Sequence, residues 1–141
     1  GLERPLSITR IDPPVIGHRV MPAEIAHEVE HMMESVALPG GGGVKAAVRD
    51  YRVAVKTGTA KKIDDSGKYV DKYVAYTAGV APASNPRFAL VVVINDPQNG
   101  AYYGGAVSAP VFSEIMGNVL RLENVKPDGL PAGSDHLIVM R

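Results

Sequence analysis

Three β-prone runs joined by short connections leave this chain few folds to choose from. The first, Tyr51 to Ala60, sets Tyr51, Val53 and Val55 on one parity; the second runs from Tyr73 to Ala81 and the third from Arg87 to Asn95. Such period-two alternation marks a strand. The third run holds seven unbroken apolar residues, Phe88 to Ile94. Its continuous stretch Leu90-Val91-Val92-Val93-Ile94 predicts a central strand covered on both faces. It is far shorter than the ~20 apolar residues of a membrane-spanning helix. Parallel neighbours would need a crossover of roughly a dozen or more residues, usually a helix. Here Ser84-Asn85-Pro86 makes one connection tight, and the charged stretch Lys61 to Lys72 carries the turn signal Asp65-Ser66-Gly67, which predicts an exposed hairpin arm. The sheet is therefore expected to be antiparallel.

Helical patterns flank the strands. From Pro22 to Ala37, the residues Ile25, Val29, Met32, Met33 and Val36 fall on one stripe, with Pro22 suited to the first turn. Pro39 and the run Gly40 to Gly43 end this helix, and the run reads as a flexible loop. After the turn Asp96 to Gly100 and the Gly-rich Tyr102-Tyr103-Gly104-Gly105, a second helix spans about Ser108 to Leu122. Ser108 is placed to cap it, and Val111, Phe112, Ile115, Met116, Val119 and Leu120 form its apolar face. Glu3 to Ile11 reads as an extended segment stopped by Asp12-Pro13-Pro14. Residues 123–141 have no period and read as a tail ending in an extended Leu137-Ile138-Val139. The fold class is α+β, three antiparallel strands with flanking helices, and 141 residues suffice for one domain with a core.

Fifteen basic and fifteen acidic side chains cancel, so nothing points to nucleic acid as a partner. The absence of cysteine excludes a thiol nucleophile, a disulfide framework and a thiolate metal site. The chain starts at Gly1 with no signal-like segment, and is expected to be a piece of a longer protein.

Three stretches invite a chemical reading. His27-Glu28-Val29-Glu30-His31 fits H-E-x-x-H, the spacing that puts two imidazoles on one helix face for zinc. On a wheel with Ile25 at zero, the apolar stripe centres near roughly 20–30°, while His27 and His31 fall near about 200° and 240°. Both turn away from the core, so the motif reads as a solvated face and no metal is expected. Gly40 to Lys45 lacks the Ser or Thr of a phosphate loop and follows a helix rather than a strand. The third stretch, Lys56-Thr57-Gly58-Thr59, is expected at the end of the first strand. Thr57 and Thr59 share a side at a spacing of about 6.5–7 Å, so two hydroxyls can converge on one carboxylate. Lys56 adds positive charge, and Gly58 leaves the backbone open to an extended ligand lying along the strand.

Lys56-Thr57-Gly58-Thr59 resembles the K-[ST]-G motif of penicillin-binding serine transpeptidases and serine β-lactamases. RPLSITRIDPPV, HMMESVALPGGGGVKAA, YRVAVKTGTAKK, YTAGVAPASNPRFALVVVINDP and YYGGAVSAPVF extend the resemblance across about residues 4–128. Together they are similar to the C-terminal part of the division-specific, class B penicillin-binding protein 3 family of Gram-negative bacteria. This implies the C-terminal part of a penicillin-binding-protein transpeptidase (serine β-lactamase-like) fold, with residues 1–122 an incomplete transpeptidase domain and 123–141 its tail. It also implies a peptidoglycan D,D-transpeptidase that cross-links stem peptides through a serine acyl-enzyme in septal wall synthesis, with β-lactam antibiotics as substrate mimics. The implied location is the periplasmic face of the inner membrane, with division proteins as partners and no cofactor.

By the same resemblance, Lys56 holds the network around the catalytic serines and Thr57 and Thr59 bind the terminal carboxylate. The Thr59 backbone N–H is one arm of the oxyanion hole, and Gly58 allows close approach. Tyr73, Tyr102 and Tyr103 form an aromatic wall, or alternatively pack at strand and loop ends. The family's nucleophile motif S-x-x-K and its S-x-N motif begin at none of the seven serines here. The chain alone is therefore expected to be inactive, and to cover its open sheet edge by self-association or by pairing with the rest of its parent. A carboxylate-binding or peptide-binding module without catalysis is the alternative from a different class.

Overall fold

The structure, a computed structural model, describes residues 2–3, 15–98 and 100–130. Of the expected segment Glu3 to Ile11, only Glu3 is among them. It belongs to β1 (Leu2–Glu3), which pairs antiparallel with β2 (Val15–Ile16). The proline stop at Asp12 to Pro14 and the Leu137 to Val139 stretch lie outside the described residues. The elements that follow are α1 (Ala23–Glu34), β3 (Ala54–Ile63), β4 (Tyr69–Ala81), β5 (Phe88–Asn95), a one-turn helix α2 (Gly104–Val107) and α3 (Ala109–Leu122). Short 3-10 turns at Ser35–Ala37 and Val44–Ala46 lead from α1 toward the sheet.

β3, β4 and β5 form one antiparallel sheet, as expected from the short connections, in the order β3-β4-β5. The central strand is β4, not β5. Val91 and Val93 are 63% and 57% exposed, so the apolar run on β5 is covered on one side only. A continuous apolar run fixes how much surface seeks cover, but not which neighbour supplies it. The exposed hairpin arm is as expected: β3 and β4 run on through it, pairing Lys61 with Tyr73 and Ile63 with Tyr69, and the turn is confined to Asp64 to Lys68. Asp64 closes it, accepting from the Ser66 and Lys68 backbone N–H groups at 2.9 and 3.0 Å.

The register divides the sheet into two faces. On one lie the cross-strand rows Val55-Gly79-Leu90, Thr57-Thr77-Val92 and Thr59-Ala75-Ile94; on the other, Lys56-Ala78-Val91 and Gly58-Tyr76-Val93. Helix α3 covers the first face. Phe112, Met116 and Leu120, four apart on one stripe, are fully buried against Val48, Val53, Val55 and Val92. Gly79 lets the Phe112 ring reach the sheet, since a Cβ there would lie 2.9 Å from the ring tip. Burying each of these large side chains contributes about 1.5–3 kcal/mol. The stripe is narrower than expected, because Val111 and Ile115 remain 36% and 41% exposed.

Helix α1 is turned relative to expectation. Pro22 precedes it as the N-cap residue, and none of its residues is buried. Ile25, Val29 and Met32 are exposed, while Glu30, Met33 and Glu34 make the contacts of its last turns. Arg52, just before β3, donates from Nε and Nη2 to the two Glu34 oxygens at 2.8 Å each. This bidentate pair ties the C-terminal end of α1 to the sheet, where Met33 is half-buried and Val36 packs on the core, while Ile25, Val29 and Met32 face outward. Beyond α3, Val125 is buried, the Tyr51 hydroxyl donates to its carbonyl at 2.7 Å, and Asp128 accepts from the Arg52 and Ser84 backbone N–H groups.

Candidate functional site

Lys56 to Thr59 lie in the middle of β3 rather than at its end, because the charged residues beyond them continue the ladder. Lys61 pairs with Asp71 at 2.9 Å across the strands, and the Lys62 ammonium donates to Asn95 Oδ1 at 3.1 Å. β3 is an edge strand, so one side of its backbone has no sheet partner among the described residues. Strand alternation splits the motif. Thr57 and Thr59 stand on the face covered by helices, while Lys56 and Gly58 stand on the other. The Tyr76 ring crosses Gly58 so closely that a Cβ there would lie 2.0 Å from it, which explains the glycine.

Beside this strand is an open cleft of about 440 Å³, lined by Thr57, Gly58 and Thr59, by Gly42 and Lys45, and by Tyr103 to Ala106. Its far wall is the turn α2. The Gly104 backbone N–H donates to Thr59 Oγ1 at 3.2 Å, across forty-five positions of sequence. A Cβ on Gly104 would lie 2.5 Å from the Tyr76 carbonyl oxygen and 2.6 Å from that of Gly58. One on Gly105 would lie 2.1 Å from the Gly42 carbonyl oxygen. Glycine is needed at both positions because backbone meets backbone there.

The run Gly40 to Gly43 is not the flexible loop expected from composition. The Gly41 and Gly43 N–H groups donate to the carbonyls of Leu38 and Val36 at 2.9 and 3.0 Å, and a Cβ on Gly41 would lie 2.2 Å from the Val36 oxygen. This is a tight turn that ends at the 3-10 turn carrying Lys45. Four consecutive glycines have the same composition whether they are free or pressed against backbone, so sequence alone does not separate the two. Gly42, Lys45, Gly104 and Gly105 become cleft walls only through the fold, which brings them beside β3.

Ser108 is also placed differently. It is helical in conformation and makes no side-chain cap. Instead it is fully buried, its hydroxyl 2.8 Å from Thr77 Oγ1 and 2.9 Å from the Gly104 carbonyl oxygen. The earlier start of helical structure at Gly104 moves Ser108 inside the helical run, where it serves as a polar tether.

The aromatic residues gather at one end. The Tyr73 and Tyr102 rings stack with centroids 4.2 Å apart, and the Tyr102 and Tyr103 rings tilt together at 4.3 Å. Their hydroxyls lie 3.0 Å apart, and the hydrogen bond shared with Tyr103 favours the protonated Tyr102 phenol and pushes it above its usual range. Only Tyr103 lines the cleft; Tyr102 and Tyr73 stand behind it. Lys56 does not line it. Its ammonium is on the exposed face and donates to the neighbouring Thr57 carbonyl. The cation in the cleft wall is Lys45, and among the described residues no carboxylate pairs with it.

His27 and His31 point outward as the helical wheel places them, with side chains 73% and 82% exposed beside Glu30 and Glu34. No group of three or more metal-ligating side chains forms among the described residues.

Comparison with known proteins sets this geometry in a family. Residues 1–117 match the model of the penicillin binding protein transpeptidase domain. The chain is 68% identical over 140 residues to the peptidoglycan D,D-transpeptidase FtsI of Escherichia coli (strain K12), covering 99% of this chain and 24% of that protein. It is 57% identical over 130 residues to FtsI of Buchnera aphidicola subsp. Schizaphis graminum, covering 92% and 23%. The apo transpeptidase domain of Burkholderia pseudomallei penicillin-binding protein 3 superposes with a TM-score of 0.73 at 44% identity, over 87% of this chain and 37% of that one. The chain thus spans about a quarter of the curated relatives' length. With the family model matched across most of its residues and its sheet and helices superposing on a solved member, the chain belongs to the penicillin-binding protein transpeptidase family.

Proposed function

We propose that this chain is the C-terminal part of a peptidoglycan D,D-transpeptidase and supplies one wall of its active site. The nucleophilic serine and its lysine come from the sequence ahead of Gly1, since S-x-x-K and S-x-N are absent from this chain. The observation that carries the reading is the split of the Lys56 to Thr59 motif on an edge strand. Thr57 and Thr59 offer hydroxyls to a cleft, while Lys56 stands with Val91 and Val93 on the sheet face left open. An apolar face of that kind is what the rest of the domain covers, bringing its serines to Lys56. Without it, a second copy of the chain is the available cover.

In this arrangement the terminal carboxylate of a stem peptide, or of a β-lactam, binds Thr57 and Thr59. The peptide lies along β3, and the Thr59 N–H stabilises the oxyanion of the tetrahedral intermediate. Gly58 lines the cleft while its other side admits the Tyr76 ring, and Tyr103, backed by Tyr102 and Tyr73, walls the side chain of the bound peptide. Acylation of the serine releases the terminal residue, and an amine of a neighbouring strand then takes the acyl group. The enzyme acts in septal wall synthesis at the periplasmic face of the inner membrane, together with division proteins.

Intact-mass spectrometry after incubation with penicillin tests this on the chain alone and on the chain extended upstream in its own reading frame. The expected result is one drug mass on the extended protein and none on the chain alone. No adduct on either would leave a non-catalytic carboxylate-binding module as the function. An adduct on the chain alone would place the nucleophile among its own serines.

A further inference from the structure

We infer that Ser108 is a positioning residue that turns the Thr59 hydroxyl hydrogen into the cleft toward the substrate carboxylate; this rests on the transpeptidase reading above. The inference follows the protons through a buried chain. The Gly104 carbonyl has no hydrogen to give, so at 2.9 Å the Ser108 hydroxyl must donate to it. With its one proton committed, Ser108 Oγ can only accept from Thr77 Oγ1, 2.8 Å away. Both side chains are fully buried, so no water competes for either bond. The α2 turn is thereby tied, through Ser108, to the central strand β4 directly opposite Thr57.

The tether sets the position of Gly104, whose N–H donates to Thr59 Oγ1 at 3.2 Å. That bond occupies an acceptor site on the Thr59 oxygen, and its hydrogen must turn elsewhere. Thr59 is exposed and lines the cleft, so the hydrogen is free to meet an incoming oxygen there. A hydroxyl hydrogen aimed into the cleft favours a carboxylate over a neutral amide oxygen, because the bond to the ionised acceptor is charge-assisted and stronger. Ser108 touches no substrate. It acts through Gly104, and its effect belongs in binding selectivity rather than in the chemical step.

The test uses the upstream-extended protein and the acylation kinetics of penicillin and of its neutral carboxamide analogue, each separated into a binding constant and an acylation rate. Ser108→Ala is expected to weaken penicillin binding about tenfold while leaving carboxamide binding within about twofold, the loss of one aligned charge-assisted hydrogen bond. The acylation rate changes little.

Thr77→Val separates positioning from stability. It leaves Ser108 donating to Gly104, so it lowers the melting temperature yet keeps the preference for the carboxylate. The double variant S108A/T77V removes both hydroxyls, recovers part of the stability lost by S108A alone, and still lacks the preference. The inference is overturned if S108A keeps the wild-type preference, or if T77V loses it in proportion to its lost stability. Failure of the wild-type extended protein to acylate at all would instead overturn the transpeptidase reading, and this inference with it.

Discussion

The two faces of the sheet have similar strand composition and opposite fates. On the face carrying Thr57, Thr77 and Val92, helix α3 buries Phe112, Met116 and Leu120, and the glycine turns close on the strand backbone. On the face carrying Lys56, Tyr76, Val91 and Val93, the described residues bury no large side chain, although three of these four are apolar or aromatic. The first face is where this chain folds onto itself; the second is apolar surface awaiting cover. The motif divides along the same line, with its hydroxyls on the packed side and its ammonium on the open side.

The largest effect expected from this contrast is a difference between two core-type substitutions. Phe112→Ala should cost about 3–5 kcal/mol, by loss of transfer energy and the cavity left behind. Val91→Thr on the open face should stay within about 0.5 kcal/mol in the chain alone. Urea denaturation of both variants measures the difference. A large loss at Val91 would mean that the second face is covered in solution, and the contrast would then describe two interfaces rather than one core and one open surface.

A smaller effect sharpens the packed side by itself. Gly105→Ala drives a Cβ to 2.1 Å from the Gly42 carbonyl oxygen, where no rotamer can relieve the clash. The α2 turn must lift from the glycine turn, at a cost of about 1–3 kcal/mol. It should also carry Gly104 away from Thr59, weakening carboxylate binding in the extended protein. Gly42→Ala is the matched control, since a Cβ there meets nothing within 4 Å. Equal losses from the two, by thermal melting, would show that the turn is not held by this backbone contact.

What sequence could show follows from the same contrast. The antiparallel sheet was legible because Ser84-Asn85-Pro86 and Asp65-Ser66-Gly67 allow only hairpins, and the family because many stretches beyond Lys56 to Thr59 carry the resemblance. The position of β5 was not legible. Val91 and Val93 read as buried, and whether they are depends on neighbours that an apolar run does not name. The glycine turns and Ser108 were missed because their roles come from contacts between residues far apart in the chain, such as Gly42 with Gly105 and Thr77 with Ser108. The stripe on α1 misled for a similar reason: periodicity predicts which residues share a face, but not which partner that face meets, and here Glu34 meets Arg52 while Ile25, Val29 and Met32 face outward.

That pair gives the smallest effect. The Arg52 hydrogen bonds hold the Glu34 carboxyl below the usual carboxylate range, against the opposing pull of partial burial, with a lesser contribution from His31. A carboxyl with a lowered folded-state value contributes stability that is fully present above its unfolded value of about 4.3 and is lost as pH falls through the folded value. Because the Arg52 side chain is 44% exposed, solvent screening keeps the contribution to about 0.5–1 kcal/mol. Glu34→Gln should therefore lower stability by that amount at neutral pH and flatten its decline at acid pH, read from urea midpoints across a pH series. If α1 were held by its apolar stripe instead, E34Q would leave the acid limb unchanged and Ile25→Ala would be the costly variant. The two substitutions thus decide whether charge or apolar burial docks the one helix that the packed face does not claim.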